Sequence, residues 1–425
     1  MDDQRPRPQR PEPTGLPPAI GIDRPGSFSR SVFHERHPVL IANLLGDFPY
    51  PPRLRSNLEA LLAETLDGTV PAEVPSGPSR EAWAAELAEY AHSAWNDLPF
   101  LWAESYFYRR ILAAVEYFTP GSPWHGVDPF APQKHAQLDG PEIRADLDAY
   151  ASLTEHDLQE RRQSLLHASL WGNQADLGFR TNNPGAGQGD SAGDVIVDDS
   201  AALWDLVDAP GDRPVIVVAD NAGREITADL ALIDAILERG SDAASGDAGT
   251  GSVGTGKVGT GNVGTGTVEL HLKADPYFVS DATGQDVLAT LTALAADPNP
   301  PVQALAHRLR KAIREDRLRL RTNAFYTLPS TYRGLPPELE RDFANAKLVI
   351  LKGDLNYRRL VGDRAWDAAT PFAEAVAYFL GPVAALRTAK SDLAVGIEPG
   401  RLADLDKASP DWRTSGTHAV IQVRP

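Results

Sequence analysis

Residues 213–230, RPVIVVADNAGREITADL, decide the fold. The apolar run 215–219 leads into Asp220-Asn221, then Gly223, Glu225 and an amphipathic stretch. An apolar run without alternation reads as a strand buried on both faces of a parallel sheet, followed by a sharp turn and a helix. In open α/β sheets ligand chemistry collects at the carboxyl ends of strands, where Asp220 and Asn221 stand. Gly223 permits close backbone approach, and Glu225 falls in the first turn of the helix. A carboxylate oxygen beside an amide oxygen suits Mg²⁺ or Mn²⁺. The same two residues equally suit a turn that caps the helix without any metal.

Residues 347–358, KLVILKGDLNYR, repeat this grammar. A strand over 348–351 is followed by Lys352-Gly353-Asp354 and Asn356-Tyr357-Arg358. A third stretch, 386–392, reads LRTAKSD after another apolar run. Strand ends that carry Asp beside clustered Lys and Arg point to a metal held next to a phosphate.

Together these pieces resemble the DUF89 family, the damage-control phosphatases also called ARMT1-like or acidic-residue methyltransferase proteins. The matching segments are Asp220-Asn221-Ala222-Gly223-x-Glu225, Phe278-Val279-Ser280-Asp281, the run from Lys352 to Arg358, and Arg387-Thr388-x-Lys390. Their order and spacing fit, apart from one insertion before Asp281. The resemblance spans residues 19–425 and is weakest before Pro99. It implies a divalent cation, Mn²⁺ foremost and Co²⁺, Ni²⁺ or Mg²⁺ also accepted, on Asp220, Asn221 and Asp281. Two carboxylates balance one such cation, which leaves the phosphate charge to Lys390, Arg358, Lys352 and Arg387. The resemblance also places Glu225, Asp354, Asn356, Tyr357 and Arg358 in the substrate pocket. Asp354 and Asn356 would read sugar hydroxyls or hold the loop, and Tyr357 would line the pocket or simply pack.

The implied reaction is metal-assisted phosphomonoester hydrolysis, with Asp220, Asn221, Asp281 and Lys390 as the catalytic set. The implied substrates are sugar phosphates of the fructose 1-phosphate or fructose 6-phosphate type, or damaged phosphometabolites. The Arg-Thr-x-Lys signature belongs to the sugar-phosphate subfamily. Either an aspartate or an activated water serves as nucleophile. The DxD signature of haloacid-dehalogenase phosphatases is missing, because Asp220 is followed by Asn-Ala-Gly. Two features depart from the family pattern: a Gly-rich insertion, and Ala389 where members often have Cys.

The chain has 425 residues, no cysteine and a net charge of −17. The length allows two or three domains. The acidity argues against nucleic-acid and anionic-membrane partners. The lack of cysteine excludes disulfides and thiolate chemistry. With no long apolar segment, the expectation is a soluble cytoplasmic protein with a small phosphorylated substrate and no obligate protein partner.

Three parts are expected: a Pro-rich disordered or loosely docked tail over 1–18, a mainly helical region over 19–199, and a doubly wound α/β/α, Rossmann-like domain over 200–425 with the site at the strand ends. Helices are read over 54–66, 79–92, 99–118 and 146–165. In the third of these, Glu104 and Arg109-Arg110 face either a ligand cleft or solvent as a charged face; the resemblance places this helix over the active site and so favours Glu104 as a substrate contact, and Arg109 with it. Residues 122–134 read as a loop, with His125 as surface. Asn173 and Asp176 belong to a Leu-Trp-Gly-Asn-x-x-Asp segment that resembles one in the family, Asn173 toward substrate or metal water and Asp176 toward loop geometry. Residues 179–200 read as a loop. Further helices are read over 284–296, 301–316 and 365–379, and strands over 268–272, 318–320, 383–388 and 419–423. Asp275, before Pro276, reads as a turn residue, and Asp281 is the residue that the resemblance implies as third ligand; His271 reads as a strand residue.

The insertion read over 241–267 carries four Gly-Thr-Gly pentads, the last of which ends at Val268. These satisfy a bare dinucleotide pattern and nearly a phosphate-loop pattern. No buried strand precedes them and no helix follows, so they read as an exposed low-complexity insertion. Three other functions compete. An S-adenosylmethionine-dependent carboxyl methyltransferase needs a Gly-rich loop after the first strand, which is not there. A non-catalytic sugar-phosphate sensor would share the pocket without turnover. An interaction protein would depend on the tail and the repeats.

Overall fold

The computed structural model describes residues 15–172, 194–245 and 266–425. Seven strands form one sheet: β1 (Asp194–Asp198), β2 (Val215–Val218), β3 (Val268–Leu272), β4 (Leu318–Thr322), β5 (Leu348–Lys352), β6 (Val383–Thr388) and β7 (His418–Arg424). Their order is β1-β7-β6-β5-β2-β3-β4. Neighbours from β6 through β4 are parallel, β7 is antiparallel to β6, and β1 is parallel to β7.

The continuous apolar run of β2 is explained by burial on both faces. Val215 and Val217 join a core with helices Leu158–Trp171, Arg224–Ser245, Gly284–Ala296 and Pro300–Arg314. Ile216 and Val218 join another core with helices Pro337–Asn345 and Gly353–Val361. This is the doubly wound α/β architecture. From β2 the chain steps outward through β3 to β4, then returns to β5 on the other side of β2. That reversal opens a crevice at the carboxyl ends of β2 and β5, the place where such folds bind ligands.

A separate helical core of the N-terminal region surrounds helix Phe100–Ala114. Residues 100–109 of this helix are all buried, including Glu104 and Arg109. The helix is therefore enclosed on every side rather than on one apolar stripe, and the solvated charged face is corrected. Leu101 packs with Tyr277 and Leu355 and so joins the helical region to the sheet domain.

Several local expectations are corrected. Residues 194–198, read as loop, are β1, which among the described residues pairs with β7 alone, more than 200 residues away. The helix over 146–165 is two, Pro141–Ser152 and Leu158–Trp171; Asp157 starts the second by accepting the Gln159 and Glu160 amides. The helix over 365–379 shrinks to Phe372–Ala375. The loop over 122–134 ends in helix Ala131–Ala136. The carbonyls of Pro17 and Pro18 accept hydrogen bonds from Arg364 and Ala365, which docks the end of the tail. Helix Arg224–Ser245 covers 241–245 of the expected insertion. Residues 1–14, Asn173, Asp176 and 246–265 lie outside the described residues. Among the described residues no helix is long and apolar enough to cross a membrane.

Candidate active site

Two turns form the centre of the site. Asn221 and Asp281 make a single β-bridge. Ala222 donates to the Ser280 carbonyl at 2.7 Å, and Ala282 donates to the Asp220 carbonyl at 2.8 Å. The turn after β2 is thus zipped to the Phe-Val-Ser-Asp turn. This brings Asp220, Asn221 and Asp281 together, at 6%, 9% and 2% exposure. The Asn221 amide donates to Asp220 Oδ2 at 3.0 Å and to Glu225 Oε2 at 2.8 Å. The Ser280 hydroxyl donates to Asn221 Oδ1 at 2.6 Å.

The carboxylates are under strong mutual repulsion. Burial, then Glu225 and Asp281, push the Asp220 pKa well above the ordinary carboxylate range, against a smaller opposing pull from Lys273 and Lys390. Asp281 Oδ2 is buried without a hydrogen-bond donor. The Lys273 ammonium stands 3.4 Å from it. Among the described residues no group of three or more His, Cys, Asp or Glu is placed to hold a metal. The donor set here is instead two carboxylates and one amide. Its all-oxygen chemistry, its Asp281 oxygen without a hydrogen-bond donor and its crowded carboxylates fit a hard divalent cation.

Three of the four cations expected on the phosphate are committed to internal ion pairs. Lys352 is fully buried, 3.0 Å from Asp229 and 3.7 Å from Glu225, and donates to the Ser169 carbonyl. Burial pulls its pKa down, but Asp229 and Glu225 outweigh that and hold it above its usual value. Arg358 donates to Glu104 at 2.8 Å and forks onto Asp363 at 2.8 and 3.1 Å. Arg387 binds Asp354 at 2.7 Å, the Leu393 carbonyl and Ser391, and lies over the Tyr357 ring. Lys390 is different. It is half-buried, and no hydrogen bond or ion pair of its ammonium is found among the described residues.

The remaining candidates are mostly braces. Glu104 is the partner of Arg358; burial outweighs that arginine and raises its pKa. The Asn356 amide donates to the carbonyls of Ala219 and Lys352 at 3.1 and 2.8 Å and accepts from Tyr332, so it ties the ends of β2 and β5 together. Tyr357 is buried and donates to Gln422. Asp354 Oδ1 gathers Arg387, the Lys390 amide and the Ser391 hydroxyl and so shapes the loop that carries Lys390. Burial opposes its charge, but Arg387 and Arg358 outweigh it and lower its pKa. Arg109 donates to the Pro78 carbonyl and stacks on Phe118, inside the helical region. His271 is bonded to Tyr326 within the sheet domain. A mainly apolar cavity is lined by Leu147, Tyr150, Leu165, Ala231 and Leu305, with Asp146 and Arg224 at its polar side, and does not include Asp220 or Asp281.

The sequence reading missed Lys273, Asp229 and Asp363. Lys273 follows a buried strand directly, as Asp220 nearly does, and that position was the available signal. Asp229 stands four residues after Glu225 and therefore on the same helical face. Asp363 sits at φ +49° beyond helix Gly353–Val361 and accepts from the Leu101 amide, which caps helix Phe100–Ala114 from another part of the chain.

The family model of the damage-control phosphatase ARMT1-like domain matches residues 32–244 and 264–405. The chain belongs to this family. The break in the match takes in three of the four Gly-Thr-Gly pentads. Damage-control phosphatase ARMT1 of Danio rerio is 31% identical over 357 residues, covering 77% of this chain and 74% of that protein. The protein of the same name in Mus musculus is 29% identical over 355 residues, covering 77% and 74%. A solved DUF89 family protein from Pyrococcus horikoshii is a more distant likeness, 14% identical with a TM-score of 0.44 over 91% of this chain and 97% of that one. As a member of the ARMT1-like family, with relatives so named, the chain is supported as a damage-control phosphatase.

Proposed function

We propose that this ARMT1-like protein is a divalent-metal-dependent phosphomonoester hydrolase acting on sugar phosphates of the fructose 1-phosphate or fructose 6-phosphate type. The observation that carries the reading is the meeting of Asp220, Asn221 and Asp281 in the β2–β5 crevice, with an orphaned Asp281 oxygen and with Lys390, whose ammonium has no ion pair among the described residues, close enough to act on Asp220. These three residues would hold the cation, Mn²⁺ foremost. When bound, it supplies Lewis acidity to a phosphoryl oxygen.

The protein's own residues do the rest. Asp220 and Glu225 accept the Asn221 amide hydrogens, and Ser280 donates to its oxygen, whose second lone pair would serve the cation. Lys352 fixes Glu225 from behind. Asp354 and Arg387 shape the loop that presents Lys390, whose ammonium binds the phosphate and offsets the charge that grows in the transition state. Glu104 and Arg358 clamp the helical region to the sheet domain, which helps exclude water from the crevice. The test is phosphate release from a sugar-phosphate panel by metal-stripped protein with single cations restored, beside Asp220→Asn. Release that no cation restores overturns the proposal.

A further inference from the structure

Lys273 is an unusual buried cation. It is 1% exposed, and its Nζ makes no hydrogen bond among the described residues. An ammonium carries three donors, and burying it without acceptors is costly unless opposite charge surrounds it. Here the opposite charge is the site itself. Nζ stands 3.4 Å from Asp281 Oδ2, the other unpartnered polar atom of the pair.

The backbone around Lys273 is tied to the same turns. Its amide donates to the Ala282 carbonyl at 3.0 Å, and it bridges to Thr283. The Ala282 amide in turn donates to the Asp220 carbonyl. The ammonium is thereby held beside Asp281 while its charge acts on Asp220 as well. Neither the catalytic set nor the phosphate-binding group requires it.

We infer that Lys273 is the resident counter-ion of the Asp220–Asp281 pair: it holds the two carboxylates together when no other cation is bound, and it competes electrostatically with a divalent cation for them. The inference rests on the cation reading above. A fixed positive charge next to the carboxylates stabilises the metal-free protein and weakens the attraction for an incoming cation by like-charge repulsion. The lysine thus sets the affinity of the site rather than taking part in the reaction.

Titration of metal-stripped protein with Mn²⁺, together with thermal unfolding with and without Mn²⁺, tests this on wild type, Lys273→Met and Lys273→Arg. Lys273→Met is expected to melt lower without metal, to gain more from Mn²⁺ than wild type, and to bind Mn²⁺ about tenfold more tightly. Lys273→Arg keeps the charge and the wild-type affinity. If Lys273→Met folds only when Mn²⁺ is present, the cation has replaced the missing charge and the inference stands. Equal or weaker Mn²⁺ binding by Lys273→Met, tightening in Lys273→Arg as well, or a Lys273→Met that stays unfolded with Mn²⁺ overturns it while leaving the cation reading intact, provided wild type binds. Binding by neither wild type nor Lys273→Met overturns both.

Discussion

Asp220 Oδ2 occupies the space that any side chain at Gly353 would need: a Cβ there would stand 1.8 Å from it. Gly353 begins the helix after β5 at φ +80°. The carboxylate of one strand end therefore rests against bare backbone at the next. We predict that Gly353→Ala displaces Asp220 and abolishes Mn²⁺ binding and phosphate release. Gly362→Ala is the control. It shares a positive φ of +88°, but its Cβ would meet only the Arg364 side chain at 3.5 Å. It should cost about 1–2 kcal/mol and leave binding unchanged.

Lys390→Ala separates function from stability. Its ammonium has no partner among the described residues, so unfolding free energy should stay within about 0.5 kcal/mol of wild type. Loss of the phosphate's charge partner should lower kcat/KM about 10²–10³-fold. Steady-state kinetics and denaturant unfolding on one preparation check both halves.

Arg358→Met should behave in the opposite way. It strands Glu104 and Asp363 as buried charges, which costs about 3–5 kcal/mol. Arg358→Lys should not restore the loss, because an ammonium lacks the fork that serves both carboxylates. Denaturant titration of the two variants checks this.

Asp229 gives the fold a pH dependence. Burial raises its pKa from 3.8 to about 6, against the opposing pull of Lys352 and the Ser169 hydroxyl. A carboxyl with a raised folded pKa binds its proton more tightly when folded, so its contribution is full below 3.8 and is lost as pH rises through about 6. Wild type should therefore lose more stability than Asp229→Asn between pH 4 and pH 6, measured by thermal unfolding at each pH. An equal loss in both contradicts the assignment.

Much of this was legible in the sequence because it is local. The strands 268–272 and 383–388 and helix 284–296 fall where apolar run length and period place them. Asp281 could be preferred over Asp275 from the motif, and the structure bridges it to Asn221. The resemblance named the family that the comparison then showed. What escaped is non-local. β1 has three apolar residues and exists only through pairing with β7. The cations were visible, but not their partners: Glu104 lies 254 residues from Arg358, and Ser169 lies 183 residues from Lys352. A cluster of Lys and Arg therefore looked like a phosphate cradle, although most of its charge is neutralised within the fold.

The most direct test is phosphate release from fructose 1-phosphate and fructose 6-phosphate by metal-stripped protein, with Mn²⁺, Co²⁺, Ni²⁺ or Mg²⁺ restored singly, beside Asp220→Asn. The account predicts no release without metal, release when a cation is restored, and none from Asp220→Asn under any condition. Release that persists without metal, or that survives in Asp220→Asn, would contradict it.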